Sequence, residues 1–216
     1  MDFTKTEIPL FDDLAVLTIA KHSNMLEYGD RHDYLYTADE DANNTDNVIL
    51  LYSGVSTDKR EYMSGNNNYN PQTFNTEHVY PQSKLGSGNA KGDLHHLRAC
   101  NGNINGNRGH LAFTDGSGSY GVKSGAWYPG DDWRGDVARM VLYVNLRYDE
   151  PLNSDISTDG KDLFLKWNRE DPVSAIEIQR NNVIANAQGN RNPFIDNPYL
   201  VTVIFGGAAA ENRWAE

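Results

Sequence analysis

Three short segments of the chain concentrate side chains that can bind a metal ion or transfer a proton. They are Glu77-His78, residues 93–96, and the Asn- and Gly-rich run 103–108. A neutral imidazole can take a proton from water, and carboxylate and amide oxygens are the ligands that hard divalent cations prefer. The residue types fit phosphodiester hydrolysis: His78 would deprotonate water, and an ion held by Glu77 and an asparagine such as Asn105 would stabilise charge on the phosphate oxygens.

A strand places adjacent side chains on opposite faces, which restricts how these segments can work. Glu77 and His78 can share one task only where the strand ends or twists, and Pro81 favours an end there. His95 and His96 fall in a predicted strand, so one faces inward and one outward, and they cannot easily bind one ion together. We expect a structural role for His95 or His96. A zinc hydrolase that uses both of them with His78 is the alternative.

The composition fits one globular domain. The chain has 216 residues, of which 23% are charged and 38% hydrophobic, and we expect a single domain over residues 1–216. It contains no run of about 18 apolar residues, so we expect neither a membrane span nor a membrane partner. The first residues lack a basic region followed by an apolar stretch, so we expect no signal peptide in this chain. Cys100 is the one cysteine, which excludes an internal disulfide and a cysteine-based zinc cluster.

The net charge of −11 is an argument against a nucleic-acid partner. Proteins that bind nucleic acid usually carry a surplus of Lys and Arg, because neutralising phosphates supplies much of the affinity. An acidic chain that acts on DNA must therefore concentrate its few cations at the cleft, or let a bound metal ion supply positive charge there.

The pattern of apolar residues and turn formers predicts an α+β fold. Helices are predicted at 12–28, at 133–148, which is the clearest of them, and at 172–188, with Pro172 in the first turn. Residues 101–113 contain too many Asn and Gly residues for a stable isolated helix, so tertiary contacts or a bound ion must hold any helix there.

Strands and loops are predicted between these helices. Apolar and β-branched runs predict strands at 47–54, at 74–80 and at 93–100. The acid-rich stretch 30–47 and the stretch 153–162 read as solvated surface loops. Their acidic positions resemble the spacing of calcium loops, but neither has the Glu that completes an EF-hand, so a structural Ca²⁺ is the alternative.

Five stretches in order from about residue 48 to 200 resemble one protein family. They are NTEHVYPQS, DLHHL, INGNR, DVARMVLYVNLRY and LKWNREDPVSAIEIQRNNVIANAQGNRNPFIDNP. These stretches look like the endonuclease I family, the branch of the His-Me finger (ββα-metal) nucleases that includes secreted bacterial DNases and RNases. A lone Glu-His pair is almost uninformative, whereas five ordered matches over most of the chain form a specific signal.

The resemblance implies a His-Me finger core at about residues 73–110, embedded in a largely helical domain. By the same implication, His78 is the general base and Glu77 and Asn105 are the metal ligands. The expected ion is Mg²⁺, with Mn²⁺ or Ca²⁺ able to occupy the same site, and the products carry 5′ phosphates. The expected substrate is DNA, with RNA as a second candidate, cut by a monomer that is secreted or periplasmic.

This chain departs from the family pattern at the arginine that contacts the scissile phosphate. Some family members carry it on an insertion after the Glu-His pair, but the stretch KLGSGNAKG here has only Lys84 and Lys91. Arg108, one turn after Asn105, is one candidate for a catalytic arginine at the phosphate. Arg139 is a second candidate, and a salt bridge to the acidic loops is its alternative role.

One rival function stays open at this point. The chain could be a catalytically silent domain that binds nucleic acid or a cell surface on the same fold. The intact Glu77, His78 and Asn105 speak against it, because binding alone requires no such base and ligands.

Overall fold

The computed structural model describes residues 7–215 and confirms an α+β fold. In this range the helices are α1 (Glu7–Lys21), α2 (Arg31–Ala38), α3 (Gly102–Arg108), α4 (Arg134–Tyr148), α5 (Lys161–Glu170), α6 (Ala175–Gln188), α7 (Pro193–Asp196) and α8 (Tyr199–Phe205). The strands are β1 (Glu40–Asp41), β2 (Asn44–Ile49), β3 (Ser56–Asp58), β4 (Phe74–His78), β5 (Leu97–Asn101), β6 (Gly121–Lys123) and β7 (Ala126–Tyr128). They pair antiparallel in three small sheets, β1-β2-β3, β4-β5 and β6-β7. None of the described helices has both the length and the apolar character that a membrane crossing requires.

Helix α4 forms the centre of the hydrophobic core. Eleven of its fifteen residues are buried, among them Val137, Met140, Val141 and Val144, so it is covered on most sides. Helices α1 and α5 pack against it, as does the turn of residues 94–96 that leads into β5. The chain therefore enters β5 from a turn that is packed against the central helix.

The β4-β5 pair presents the chemically active segment at its end. The strands are antiparallel, with Glu77 opposite Arg98 and His78 opposite Leu97. Strand β4 ends at His78, as the sequence predicts. The end of the strand relaxes the alternation of faces, so that the two adjacent side chains can serve one site.

Helix α3 follows β5 directly and is held by tertiary contacts, as its poor helix propensity requires. The side chain of Asn101 caps its first turn. Ile104 packs against the main core. Gly102 fits because a Cβ there would lie 2.6 Å from the sulfur of Met63. At the other end, the guanidinium of Arg108 donates to backbone carbonyls at the end of β4.

The prediction of a solvated loop at 30–47 is wrong, because α2, β1 and most of β2 lie there. Leu35 is fully buried in a small hydrophobic cluster with residues of β5 and α6. The carboxylate of Asp39 is also buried, where it pairs with Arg98 at 2.8 Å and with Arg180. The acidic residue thus serves as a buried ion-pair partner, which composition alone does not reveal.

The prediction that His95 and His96 lie in a strand is also wrong. Residues 94–96 form a 3-10 turn, and the side chain of Asp93 caps it by accepting from the backbone N–H of His95 at 2.9 Å. Both imidazoles are buried. Nε2 of His95 contacts the carbonyl oxygen of Asn190, and Nε2 of His96 contacts that of Ala90. Each ring therefore ties two chain segments together, a structural use.

Helix α6 begins later than the sequence predicts. Its first residue is Ala175, and Pro172 lies before the helix. Ser174 and Glu177 form a capping box, in which the Ser174 hydroxyl and the Glu177 carboxylate each accept from the other residue's backbone N–H. This reciprocal cap satisfies two free donors, so it sets the start of the helix in place of the proline.

Candidate active site

The end of β4 and helix α3 line a pocket of about 500 Å³. Four of the five predicted site residues lie in its wall: Glu77, His78, Asn105 and Arg108. Glu77 is the one carboxylate of the lining, which also contains Lys91 and Arg108. The acidic chain thus places cations, and little negative charge, around this pocket.

The imidazole of His78 is held in one tautomer. Its Nε2 lies 3.1 Å from the carbonyl oxygen of Lys91. Because a carbonyl oxygen only accepts, Nε2 carries the proton and Nδ1 keeps its lone pair. Nδ1 has no hydrogen bond to any residue in the range 7–215. The ring of Tyr28 lies against the imidazole, with centroids 5.0 Å apart and planes 31° from parallel.

The environment keeps His78 neutral. Burial lowers its pKa to about 3, and the nearby His96 acts in the same direction. At neutral pH the ring is therefore the unprotonated, accepting form that a general base requires.

The carboxylate of Glu77 is buried and only partly neutralised. Its side chain lies beside Tyr52, whose hydroxyl donates to Oε1 at 2.8 Å, and Nε of Arg108 lies 3.5 Å from the same oxygen. Burial raises the pKa of Glu77, although Arg108 and Tyr52 oppose this shift. Oε2 has no hydrogen bond within the described residues. A cation bound at Oε2 would supply the positive charge that is still needed to balance the carboxylate of Glu77.

Asn105 is oriented by its amide nitrogen. Nδ2 donates to the side-chain oxygen of Asn75 at 2.7 Å and to the carbonyl oxygen of Thr76 at 3.1 Å. Both partners are on β4, immediately before Glu77. Because the nitrogen faces these acceptors, the amide oxygen points elsewhere, and it has no hydrogen bond to any described residue.

These two oxygens fit a hard divalent cation. One carboxylate and one amide oxygen, both without partners, match the sparse ligation of a catalytic Mg²⁺, which keeps several positions for water and phosphate. A zinc site built from His78, His95 and His96 has no such support. No cluster of three or more His, Cys, Asp or Glu side chains that could hold a metal ion occurs in residues 7–215.

The acidic loops that resemble calcium sites make other contacts. In the first, Asp39 is paired with arginines, and Asp41 accepts from the hydroxyl of Ser56 at 2.6 Å. In the second, Asp155 lies 3.6 Å from the ammonium of Lys84. Protein groups thus engage carboxylates in both loops, which leaves fewer oxygens for a structural Ca²⁺.

Arg108 lies in the pocket wall, but its donors are largely occupied. Nη1 donates to the carbonyls of His78 and Gly109, and Nη2 donates to the carbonyl of Val79, at 2.8–3.2 Å. The side chain is almost fully buried and lies 3.5 Å from the carboxylate of Glu77. This geometry suits a residue that holds the end of β4 and partly neutralises Glu77.

Arg139 lies elsewhere in the fold. It is fully buried in α4, and its Nε and Nη2 donate to the two carboxylate oxygens of Glu177 at 2.6 and 2.7 Å. It is absent from the residues that line the pocket. The structure therefore does not bring it together with Glu77 and His78. Its ion pair is with Glu177 of α6 and not with the acidic loops, so the alternative holds only in that the role is an ion pair.

The site also contains two tyrosines that the sequence does not predict there. Tyr28 packs on His78, and Tyr52 hydrogen-bonds Glu77, yet both lie more than twenty residues before these partners in the chain. Tyr52 also has a positive φ of 69°, a strained conformation for an aromatic residue. No local pattern marks either tyrosine, since only tertiary packing brings them to β4.

A family model and several curated proteins match this chain. The model of the endonuclease I family covers residues 13–199. The chain belongs to the endonuclease I family. Its members are endonucleases, which places this endonuclease I chain among the hydrolases that act on nucleic acid.

The relatives include proteins named for RNA and for DNA. The chain is 38% identical over 197 residues to an extracellular ribonuclease of Bacillus subtilis (strain 168), covering 81% of this chain and 67% of the relative. An extracellular ribonuclease of Bacillus amyloliquefaciens is 37% identical, with 80% and 66% covered. A periplasmic deoxyribonuclease of Aeromonas hydrophila is 32% identical over 117 residues, 49% of this chain and 48% of that protein. The chain thus spans about half to two thirds of the length of these relatives.

Proposed function

We propose that the chain is a divalent-metal-dependent endonuclease that hydrolyses phosphodiester bonds of DNA and RNA without strict sequence preference. One observation carries the proposal. The free Nδ1 of a neutral His78 belongs to the same pocket as the partnerless oxygens of Glu77 and Asn105. The order β4-β5-α3, with these residues at the strand end and on the helix, supports the assignment to the His-Me finger nucleases.

The proposed reaction is attack of water on a backbone phosphorus. His78 takes a proton from the water at Nδ1 as the new oxygen–phosphorus bond forms and the bond to the 3′ oxygen breaks. The carbonyl of Lys91, which accepts from Nε2–H, holds the ring and stabilises the imidazolium that results. Glu77 and Asn105 would hold a Mg²⁺, which would supply positive charge for the phosphate oxygens and the departing 3′ oxygen. The leaving oxygen gains a proton from solvent, and the phosphate stays on the 5′ end of one product.

This mechanism explains why both nucleic acids are proposed as substrates. Water is the nucleophile, so the 2′-hydroxyl of RNA is not a reagent, and all the reacting atoms belong to the backbone. The names of the relatives, a ribonuclease and a deoxyribonuclease, support this breadth. Their names also support an extracellular or periplasmic location, which fractionation of the native host with an antibody would test.

The test is cleavage of supercoiled plasmid and of a structured RNA, with Mg²⁺ or with EDTA. We expect nicking and RNA cleavage with Mg²⁺, loss of both in EDTA, and a loss of at least about 100-fold in His78→Ala. DNA ligase should reseal the nicked plasmid, because ligation requires a 5′ phosphate. His32→Ala is the matched control, since this half-buried histidine contacts Tyr36 and is not part of the pocket.

The rival functions give different results. A chain that binds DNA but leaves all substrates intact with Mg²⁺, Mn²⁺ and Ca²⁺ would be the catalytically silent domain. Activity restored by Zn²⁺ alone after chelation would favour the zinc hydrolase. Light scattering in the same buffer would test the expected monomer.

A further inference from the structure

Two arginines of the described residues form no ion pair with a carboxylate in that range. Among the arginines within residues 7–215, nine have a carboxylate oxygen within 4.0 Å: Arg60, Arg98, Arg108, Arg134, Arg139, Arg169, Arg180, Arg191 and Arg213. Arg31 and Arg147 have no such partner in that range. In a chain with a net charge of −11, a guanidinium without a carboxylate is an exception that calls for an explanation.

Arg31 is fixed at the edge of the pocket. It begins α2, and its Nε donates to the hydroxyl of Thr76 at 3.0 Å. Its Nη1 donates to the carbonyl of Tyr28 at 2.6 Å, and the guanidinium carbon lies 3.7 Å from the centre of the Tyr28 ring. Thr76 and Tyr28 both line the pocket. The guanidinium is therefore held by neutral groups of the pocket wall, which leave its charge uncompensated.

Arg31 is also close to the proposed general base. The guanidinium of Arg31 lies over the ring of Tyr28, and this ring packs against the imidazole of His78. The charge of Arg31 is among the effects that lower the pKa of His78. Thr76, which accepts from Nε, immediately precedes Glu77 in β4. The two contacts of Arg31 thus reach the base on one side and the strand of the metal ligand on the other.

The remaining donors of Arg31 are available to a ligand. Nη2 has no hydrogen bond within the described residues, and the side chain is half-buried. Arg108, by contrast, spends its donors on three backbone carbonyls. The contact with Tyr28 and the two hydrogen bonds hold the planar guanidinium in place, so that little conformational entropy is lost when it binds a ligand.

We propose that Arg31 binds a backbone phosphate of the nucleic-acid substrate at the edge of the pocket, through Nη2 and the free N–H of Nη1. This role rests on the proposed nuclease function and deepens it, because it assigns the phosphate-binding arginine to the start of α2. A phosphodiester offers two anionic oxygens, which match the planar fork of a guanidinium better than an ammonium.

The experiment measures binding separately from cleavage. In a His78→Ala background with Ca²⁺, fluorescent DNA and RNA oligonucleotides of one sequence are titrated with Arg31→Gln, Arg31→Lys and Arg147→Gln at several salt concentrations. Arg147 is the matched control, since it also lacks a carboxylate within the described residues, but its contacts, Met25 and Tyr148, do not line the pocket. We expect Arg31→Gln to weaken binding about tenfold and to lower the slope of log K against log salt by about 1.

The lysine variant separates charge from geometry. Arg31→Lys keeps the charge but loses the fork, so we expect the salt slope to stay close to that of the background while affinity falls by part of the tenfold. With His78 restored, Arg31→Gln should raise KM for plasmid more than it lowers kcat. Melting temperatures equal to that of the background protein show that the three variants are folded. If Arg31→Gln unfolds, the loss of affinity in Arg31→Lys tests the proposal in its place.

Two results would overturn the inference, and they differ from a failure of the proposed function. If Arg31→Gln binds and cleaves like Arg147→Gln, Arg31 does not bind the substrate phosphate, and the proposed nuclease function is unaffected. A wild-type chain that neither binds nor cleaves DNA and RNA removes the nuclease function, and the assignment of Arg31 with it.

Discussion

Two carboxylates, Glu77 in the pocket and Asp93 at the start of the 94–96 turn, are equally buried but differ in how many hydrogen bonds they accept. Each is 2% exposed. Asp93 accepts from the hydroxyls of Tyr143 and Tyr148, from Nε2 of Gln188 and from a backbone N–H, at 2.7–3.0 Å. Glu77 has one tyrosine hydroxyl and an arginine at 3.5 Å.

The pKa values of the two groups move in opposite directions. Burial alone would raise both, and it does raise the pKa of Glu77. For Asp93 the charge of His95 and the hydrogen bond from Gln188 outweigh burial, and the pKa falls to about 2. A carboxylate that the protein satisfies fully contributes to the fold. One that is left short of donors is suited to a cation from solution.

The largest expected effect is on the unsatisfied carboxylate. Glu77→Gln should reduce metal-dependent cleavage about 10³-fold, because the amide binds a hard cation far more weakly than a carboxylate does. The free energy of unfolding should change by less than about 1 kcal/mol, since Arg108 keeps its three carbonyl acceptors and the glutamine oxygen still accepts from Tyr52. Turnover at a fixed Mg²⁺ concentration that does not saturate the variant, and urea unfolding, measure the two effects. A variant that loses stability and activity together would break the comparison.

Breaking the buried ion pair between Arg139 and Glu177 should have the opposite pattern, a large loss of stability and little loss of activity. Arg139→Met leaves Glu177 charged and unpaired in the core, so we expect a loss of about 3 kcal/mol in the free energy of unfolding. Cleavage per folded molecule should stay within a factor of two of wild type, because Arg139 does not line the pocket. Urea unfolding and turnover, corrected for the folded fraction, test this. A folded Arg139→Met protein with a large loss of kcat would return Arg139 to the catalytic candidates.

Part of the site could be predicted because it is local in sequence. Glu77 and His78 are adjacent, and the end of β4 allows them to serve one site. Asn105 lies in α3, which follows β5 directly, and its side chain contacts β4. The roles of these three residues remain predictions, but their shared pocket follows from one short strand–strand–helix unit.

The rest depended on partners that lie far away in the chain. Arg139 shows this most clearly, because its partner Glu177 is 38 residues away and no pattern distinguishes it from an arginine at a cleft. The acid-rich segment around Asp39 gives no local sign of burial, because its partners Arg98 and Arg180 lie even farther away in the chain, Arg180 by 141 residues. Nothing in the sequence singles out Arg31, since its proposed role depends on which arginines remain without a carboxylate after folding.

An intermediate effect is expected for the satisfied carboxylate, and it depends on pH. The pKa of Asp93 is lower in the folded chain than in the unfolded one, so its contribution is present above pH 4 and is lost as the pH falls towards 2. Asp93→Asn should therefore lower the free energy of unfolding by about 2 kcal/mol at neutral pH. This difference from wild type should narrow between pH 4 and pH 2. A gap that is constant over this range would show that packing, and not the charge, is responsible.

The smallest effect tests whether the fold orients Glu77 as well as burying it. Tyr52 adopts a φ of 69°, packs edge-on against Trp127, and donates to Oε1 of Glu77. Such a conformation costs about 1–3 kcal/mol, and these two contacts help to hold it. Tyr52→Phe removes the donor and keeps the ring, so we expect metal affinity, measured by Mn²⁺ titration, to fall about tenfold.

The control for Tyr52 is Tyr80→Phe, which removes the hydroxyl of another buried tyrosine, one that donates to the carbonyl of Pro151 at 2.9 Å. Both variants should lose similar stability, about 1 kcal/mol, because each loses one hydrogen bond. Only Tyr52→Phe should weaken Mn²⁺ binding, since only its hydroxyl touches the carboxylate. Equal weakening in both variants would mean that affinity follows general stability, and Tyr52 would then have no positioning role for Glu77.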